Sequence, residues 1–266
     1  MNAIAEAVAA PRDQVRFPHA GLVWTLVRTD FKARYHGTLG GFVWALLKPV
    51  CMFIVLMGVF SFLFAANPTY KLNLIVALFL WEFFSEGTKS GLMSLHARGF
   101  LLSKTRVPSW ILVVTSISNA VITLGVFSLV IVAFLTAAGH PPTAEAILAY
   151  AAYASALIAI VIGFSLAASV LFLRYRDLNQ VWDMALHAGF FLAPIIYPLG
   201  ILPERYHPYL YLWPPTSLIE FSREVLVRRT VPSATGHVLL GLAVALALTV
   251  GIAAHRRLIP RAAEYL

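Results

Sequence analysis

The sequence predicts an all-α integral membrane protein with six transmembrane helices. Of its 266 residues, 60% are hydrophobic and only 12% are charged, and the mean hydropathy is +0.80. Soluble domains carry about a quarter of their residues as charged side chains. A chain of this composition could not cover its surface with polar groups in water. The charge content and the hydropathy are the first two observations behind this prediction. The third is a series of long segments without charged residues.

Five segments contain no Asp, Glu, Lys or Arg, and they define five of the predicted spans. They cover residues 50–66, 109–139, 147–173, 184–202 and 238–254. With its flanking residues, each can cross a hydrocarbon core of about 30 Å at 1.5 Å per helical residue. A sixth span is predicted over 72–95, which is apolar apart from Glu82, Glu86 and Lys89.

These three charges are spaced at i, i+4 and i+7, so they are predicted to share one face of that helix. Charged side chains at this depth usually face a bundle interior or an aqueous cavity. Two hypotheses follow. One is a proton relay through Glu82 and Glu86, and the other is an internal Glu86–Lys89 ion pair that closes the bundle.

The distribution of Lys and Arg predicts that both termini are cytoplasmic. With the N-terminus inside, thirteen of the 20 basic residues lie on inner segments and five on outer segments, as the positive-inside rule requires. This rule accounts for the net charge of +8 better than nucleic-acid binding does. The exception is a basic group at residues 223–229, which this orientation places outside.

Two regions are predicted to be neither spans nor ordinary loops. Residues 21–36 form an amphipathic helix in the membrane interface, with Arg28, Lys32 and Arg34 on its polar side. Between the fifth and sixth spans, several prolines break any long helix, although residues 190–212 stay apolar and aromatic. Short helices that re-enter the outer leaflet are therefore predicted there.

One membrane domain accounts for most of the chain. The predicted division is a cytoplasmic N-terminal segment with the interface helix over 1–36, followed by a six-span domain over 37–266. The chain has no phosphate-binding loop, no H-E-x-x-H and no G-x-S-x-G motif. We therefore expect no catalytic residues and no metal site. Any driven work would use a gradient or another subunit.

The inner loop after the second span is short and basic around an apolar centre. It predicts a cytoplasmic helix that docks into a partner protein, or alternatively a loop that anchors to anionic headgroups. Its candidate residues are His96, Arg98, Phe100, Leu101, Lys104 and Arg106. A second candidate contact, Arg174, Arg176 and Asp177, follows the fourth span, where ordinary interface anchoring is the alternative.

Several short motifs occur along nearly the whole chain in a characteristic order. They are Asp30-Phe31-Lys32-Ala33-Arg34-Tyr35, Leu39-Gly40, Trp44-Ala45-Leu46-Leu47 with Pro49, Trp81-Glu82-Phe83-Phe84-Ser85, the stretch 101–108, Arg176-Asp177-Leu178, Pro194-Ile195-Ile196-Tyr197 and Trp213-Pro214-Pro215-Thr216. Together they resemble the membrane subunits of type-2 ABC exporters, the Wzm-like and TarG-like permeases for O-antigen and teichoic acid. In that family, the last motif usually has an asparagine form.

The resemblance implies a half-transporter in a bacterial inner membrane. Two copies of the chain would form the channel, and two copies of a separate ATPase would bind ATP and Mg below it. The loop 96–106 would be the coupling helix, flanked by Arg174, Arg176 and Asp177. This chain itself would hold no cofactor, and the complex would bind no nucleic acid.

The implied cargo is an O-antigen-like polysaccharide on an undecaprenyl diphosphate carrier. The diphosphate would meet positive charge at the inner headgroup level, where Arg28, Lys32, Arg34 and Tyr35 lie. Aromatic rings would guide the sugar chain, unless they only form an interfacial belt. These are Trp44, Trp81, Phe190, Phe191, Tyr197 and Trp213.

Alternatives to this interpretation concern both the cargo and the class of protein. An exporter of the same type could move a capsule polysaccharide, teichoic acid, a drug or a lipid. A proton-coupled secondary carrier would use Glu82 and Glu86, but such carriers commonly have two related halves, and no internal repeat is visible here. A membrane enzyme acting on lipid-linked sugars lacks a cluster of catalytic polar residues.

Overall fold

A computed structural model describes residues 19–35, 37, 40–65, 67–104 and 107–262, and this part of the chain consists of helices and their connections. The helices are α1 (His19–Tyr35), α2 (Val43–Leu63), α3 (Tyr70–Ala97), α4 (Gly99–Lys104), α5 (Ser109–Ser116), α6 (Ser118–Ala137), α7 (Ala144–Arg174), α8 (Leu178–Leu192), α9 (His207–Tyr211), α10 (Pro214–Arg223) and α11 (Ala234–Ala262).

The predicted all-α membrane class is confirmed. Among the described residues, four helical segments are long and apolar enough to cross a membrane. They are Val43–Leu63, Ser109–Ala137, Ala144–Arg174 and Ala234–Pro260. Helix α3 has 28 residues, which is long enough at about 42 Å, but it carries charges. Six spans in total remain a prediction, as do the cytoplasmic termini, which lie outside the described residues.

The predicted fifth span over 184–202 is wrong in its bounds. Helix α8 begins earlier, at Leu178, and ends at Leu192 after only 15 residues. Ala193 then adopts an extended conformation, with φ −69° and ψ 139°, because the ring of Pro194 disfavours a helical residue before it. Short 3₁₀ turns and α9 follow, as expected for re-entrant segments, and α10 starts with Pro214 in its first turn.

Helix α3 is the central element of the bundle. Nearly every side chain from Leu72 to Phe84 is buried, and the helix packs against α2, α6, α7, α8 and α10. Helices α7 and α11 approach most closely where Gly163 faces Gly251. A Cβ at Gly251 would lie 2.1 Å from the Gly163 carbonyl oxygen. This crossing therefore depends on the absence of side chains, as in other membrane helix pairs.

The broken segment after α8 is held by a buried arginine. Arg223 on α10 donates to the backbone carbonyl oxygens of Pro194 at 2.6 Å, Ile195 at 3.1 Å and Asn73 at 2.9 Å. It also pairs with Glu220 at 2.6 Å, with both side chains almost fully enclosed. The guanidinium thus satisfies carbonyls that the helix break leaves without helical partners.

Internal ion pairs explain how the basic group at residues 223–229 can lie in the region that is predicted to be outside. Glu220 accepts a second ion pair from Arg228 at 3.1 Å, and Glu224 lies 4.0 Å from the same guanidinium. The arginines are therefore partnered within the fold. They are not free loop charges of the kind that the positive-inside rule counts.

We predict that Arg223→Met lowers the stability of the purified protein by about 3–5 kcal/mol, because Glu220 keeps a buried charge without its main partner. Thermal unfolding in mild detergent measures this change. Glu220→Met combined with Arg223→Met should regain part of the loss, since it removes the unpaired charge. A double variant that is less stable than Arg223→Met alone would contradict the pairing argument.

Candidate functional site

The candidate site is a cleft of about 350 Å³ between α1, α2, α3 and α6. Helix α1 supplies Arg34 and Tyr35 from its last turn, and α2 supplies Trp44 and Lys48 from its first two turns. The remaining lining is Gly41, Ala45, Glu82, Phe83, Glu86, Ala120, Thr123 and Phe127. Sequence motifs that are far apart in the chain, at 30–35, 44–49 and 81–85, thus meet around one cleft.

Two ion pairs cross the cleft. Arg34 pairs with Glu86, and Lys48 pairs with Glu82 at 3.1 Å. The hypothesis of a Glu86–Lys89 pair is wrong. Lys89 instead pairs with Asp183 on α8 at 2.6 Å, because it projects towards α8 while the two glutamates face α1 and α2. The three charges therefore do not share a single partner surface.

Aromatic side chains form the wall of the cleft towards α1 and α2. Tyr35 packs edge-on against Phe42, with 5.2 Å between ring centroids, and it interacts with the Thr123 hydroxyl on α6. Burial raises the pKa of the Tyr35 phenol, and the charge of Arg34 opposes this shift. Trp44 is 61% exposed, so its ring is available to a bound molecule.

The other predicted diphosphate residues lie apart from this cleft. Arg28 and Lys32 are exposed on α1, and neither lines the cavity. Only Arg34 and Tyr35 of that set reach it. Arg28 and Lys32 are placed to add positive charge along the helix surface, whereas Lys48 lines the cleft with Arg34.

A third ion pair joins α1 to the start of the predicted coupling region. Arg98, at the end of α3, pairs with Asp30 and donates to the Leu112 carbonyl at 2.8 Å and the Thr115 hydroxyl. Burial lowers the pKa of Arg98. Arg98 is therefore enclosed and bonded internally. It ties α1, α3 and α5 together at one point, directly before α4.

The loop predicted to dock into a partner contains a short helix, α4 (Gly99–Lys104), as expected. Phe100 is 65% exposed, whereas Leu101 packs partly into an apolar cluster with Leu26 and Val107. The side chain of Lys104 and all of Arg106 lie outside the described residues. The structure thus places one large apolar side chain of this loop on the surface.

The second candidate contact lies beside the first. Arg176 hydrogen-bonds with His96 Nδ1, and the His96 ring packs edge-on against Phe172 with centroids 5.7 Å apart. Arg174 is exposed with its guanidinium 5.2 Å from the Tyr175 ring centre, and exposed Asp177 immediately precedes α8. The two loops predicted to meet a partner therefore form one continuous surface.

The predicted aromatic conduit is only partly brought together. Trp81, Phe190 and Trp213 belong to one cluster with Phe84 and Trp182. Trp81 is only 5% exposed, whereas Trp182, Phe190 and Trp213 are partly buried, and Trp182 and Trp213 line an apolar cavity of about 640 Å³.

The other conduit candidates lie elsewhere. Phe191 is exposed, and the Tyr197 hydroxyl donates to the carbonyls of Phe191 and Leu192 at 3.2 and 3.0 Å, which stabilises the end of α8. Trp44 lies in the separate charged cleft.

Sequence reasoning missed the acidic partners Asp30 and Asp183 and the buried Glu220–Arg223 pair. Asp30 is an acidic residue inside a basic helix, four positions before Arg34, and this isolated sign change was the available signal. Glu220 and Arg223 are spaced at i and i+3 in an apolar region, where an ionisable pair is costly unless it is internal. Nothing in the sequence identifies Asp183 as the partner of Lys89.

We predict that Asp30 and Arg98 are energetically coupled by about 0.5–3 kcal/mol in a double-mutant cycle with Asp30→Asn and Arg98→Gln. Each single variant leaves the charge of the other residue without its ion-pair partner. The double variant should therefore lose less stability than the sum of the losses in the two single variants. Thermal unfolding of the purified proteins gives the four values. Glu145→Gln, exposed on α7, is the control for loss of one carboxylate. Additive effects would contradict a direct pair.

The architecture can be compared with known proteins. The ABC-2 type transporter family matches residues 21–227 of this chain. Two similar proteins are O-antigen export system permease proteins RfbA. The one from Myxococcus xanthus is 28% identical over 71% of this chain and 73% of its own length, and the one from Klebsiella pneumoniae is 25% identical over 77% and 80%. The polysialic acid transport protein KpsM from Escherichia coli is 22% identical over 88% and 92%. The chain belongs to the ABC-2 type transporter family.

Proposed function

We propose that this chain is the membrane permease of an ATP-driven exporter that moves an O-antigen-like polysaccharide on undecaprenyl diphosphate. Two copies form the channel in the bacterial inner membrane, with both termini in the cytoplasm. Two copies of a separate ATPase bind ATP and Mg and hydrolyse the ATP. The proposal is supported by the family and by relatives that are named as polysaccharide transport proteins.

The observation that carries this proposal is the charged cleft at the end of the interface helix. Arg34 and Lys48 both line it, and exposed Trp44 lies beside them. A guanidinium binds phosphate oxygens in a bidentate manner, and an aromatic ring offers a flat apolar surface to the first sugar. The cleft thus combines the two chemistries that the head of a sugar-linked lipid diphosphate requires.

The coupling surface supports the ATPase partner in this proposal. It comprises exposed Phe100 on α4 and the neighbouring His96 and Arg176. Arg98 lies at the base of α4 and bonds to α1 through Asp30. A displacement of α4 by the ATPase would therefore be transmitted to the helix that carries Arg34, because two residues of α1 are fixed to α3.

Capsular polysaccharide is the second candidate cargo, and the KpsM likeness over 88% of the chain favours it. The mechanism would be the same, since both cargoes are polysaccharides. The proton-coupled carrier has less support, because both glutamates that it requires are engaged in ion pairs with Lys48 and Arg34.

Purification of the tagged chain in mild detergent from its native host tests the proposed assembly. We expect an ATPase with a phosphate-binding loop to copurify in a one-to-one ratio, measured by quantitative mass spectrometry. A variant with Phe100→Asp should lose the ATPase while the membrane chain still folds. Recovery of the chain alone, even after gentle crosslinking, would contradict the exporter class.

Replacing Arg34 tests the substrate cleft. Arg34→Gln should lower export by about tenfold or more, because a charge-assisted bond to the diphosphate is lost. Export is measured as polymer that reaches the outer face of the membrane, normalised to the assembled complex. Thr25→Gln, on the same helix outside the cleft, is the matched control. Equal export by the two variants would remove Arg34 from the mechanism.

A further inference from the structure

We infer that Glu86 and Glu82 are exchangeable counterions of the substrate cleft. They neutralise Arg34 and Lys48 before substrate arrives, and a lipid diphosphate headgroup displaces them when it binds. This inference rests on the proposed function and adds to it a regulatory step. The cleft binds an anion strongly only after Glu82 has separated from Lys48 and Glu86 from Arg34.

The charges of the cleft lining lead to this inference. Among its described lining residues, Arg34 and Lys48 are balanced by Glu82 and Glu86, and the other lining residues are uncharged. Each cation already has a carboxylate partner. A neutral cleft attracts a diphosphate only weakly. Strong binding therefore requires the two cations to change partners.

The exposure of the two pairs makes such an exchange feasible. The side chains of Arg34 and Glu86 are 43% and 37% exposed, and ion pairs that water reaches contribute little stability. The Glu220–Arg223 pair differs, because both of its side chains are almost fully enclosed and Arg223 also binds three carbonyls. The Glu220–Arg223 pair is thus built to stay closed, whereas the two pairs of the cleft can open.

Each partner also has a suitable alternative. A diphosphate carries more charge than one carboxylate and offers several oxygens to a guanidinium in bidentate geometry. Glu86 keeps a hydrogen bond from the Ser90 hydroxyl, which lies 3.3 Å from its Oε1, and it lines the open cleft. Displacement therefore does not leave the Glu86 carboxylate without a polar partner.

The exchange would have a structural consequence. Arg34 lies on α1 and Lys48 on α2, whereas both glutamates lie on α3. Displacing the carboxylates therefore releases the end of α1 and the start of α2 from α3. The Asp30–Arg98 pair is outside the cleft, so α1 stays attached to the base of α4. Substrate binding would thus loosen the cleft and leave the connection to the coupling helix intact.

The test uses the complete complex with its ATPase in lipid nanodiscs, and inorganic pyrophosphate is the probe at fixed ionic strength. Glu86→Gln should bind pyrophosphate about fivefold more tightly than wild type, because the competing carboxylate is gone. Arg34→Gln should bind it more weakly. Combining Glu86→Gln with Arg34→Gln should bring no gain over Arg34→Gln alone, since Glu86 acts through Arg34. Glu145→Gln is the control for overall charge.

The outcomes separate this inference from the proposed function. If Arg34→Gln loses binding but Glu86→Gln matches Glu145→Gln, the counterion exchange is wrong and the proposed diphosphate site stands. If neither wild type nor Glu86→Gln binds pyrophosphate, diphosphate recognition itself is wrong. Undecaprenyl diphosphate in the nanodisc should compete with the probe. Binding without competition would exclude the lipid headgroup as the natural ligand.

A second measurement keeps the inference testable if Glu86→Gln does not fold. Nitroxide labels are placed at Thr29→Cys on α1 and Met93→Cys on α3, both exposed, in a Cys51→Ser background. Saturating pyrophosphate should broaden and lengthen the distance distribution between the labels, since α1 loses one of its two described ion pairs with α3. An unchanged distribution at saturation would overturn the exchange.

Discussion

The ion pairs between α1 and α3 are the interaction on which the half of the bundle around the cleft depends. Asp30–Arg98 fixes α1 at the end of α3, and Arg34–Glu86 fixes it about three helical turns earlier on α3. Helix α1 also packs against α5 and α6, and these two ion pairs add polar contacts that fix it to α3. They thereby form the cleft and link it to α4.

The opposite half of the bundle, around the start of α3, is also held by a charged pair. Prolines after α8 break the helix within an apolar region, where unpaired carbonyls are costly. Arg223 satisfies these carbonyls, and Glu220 neutralises Arg223. In both halves, then, charged residues within the bundle serve structure through specific partners. The degree of burial separates the enclosed Glu220–Arg223 pair from the two more exposed pairs of the cleft.

Much of the functional surface follows from this arrangement. The cleft, the Arg98 junction and the surface with His96, Arg176 and Phe100 follow one another towards the C-terminal end of α3. The proposed entrance for a lipid headgroup and the proposed contact for an ATPase are therefore joined through α1. The aromatic cluster around Trp81 and Trp213 does not line the charged cleft, and its role as a conduit stays a prediction.

The sequence by itself determined the all-α membrane class, the helix before the first span, the short helix after Arg98 and the family. These properties reside in composition, local periodicity and ordered motifs, which do not require knowledge of neighbours. Only the tertiary structure decided the partners of Glu82, Glu86 and Lys89, the end of α8 at Leu192 and the role of Arg223. The spacing of charged residues shows which of them can share a helix face. The partner of each charged residue depends on which other helix packs against that face. That choice is made by long-range packing.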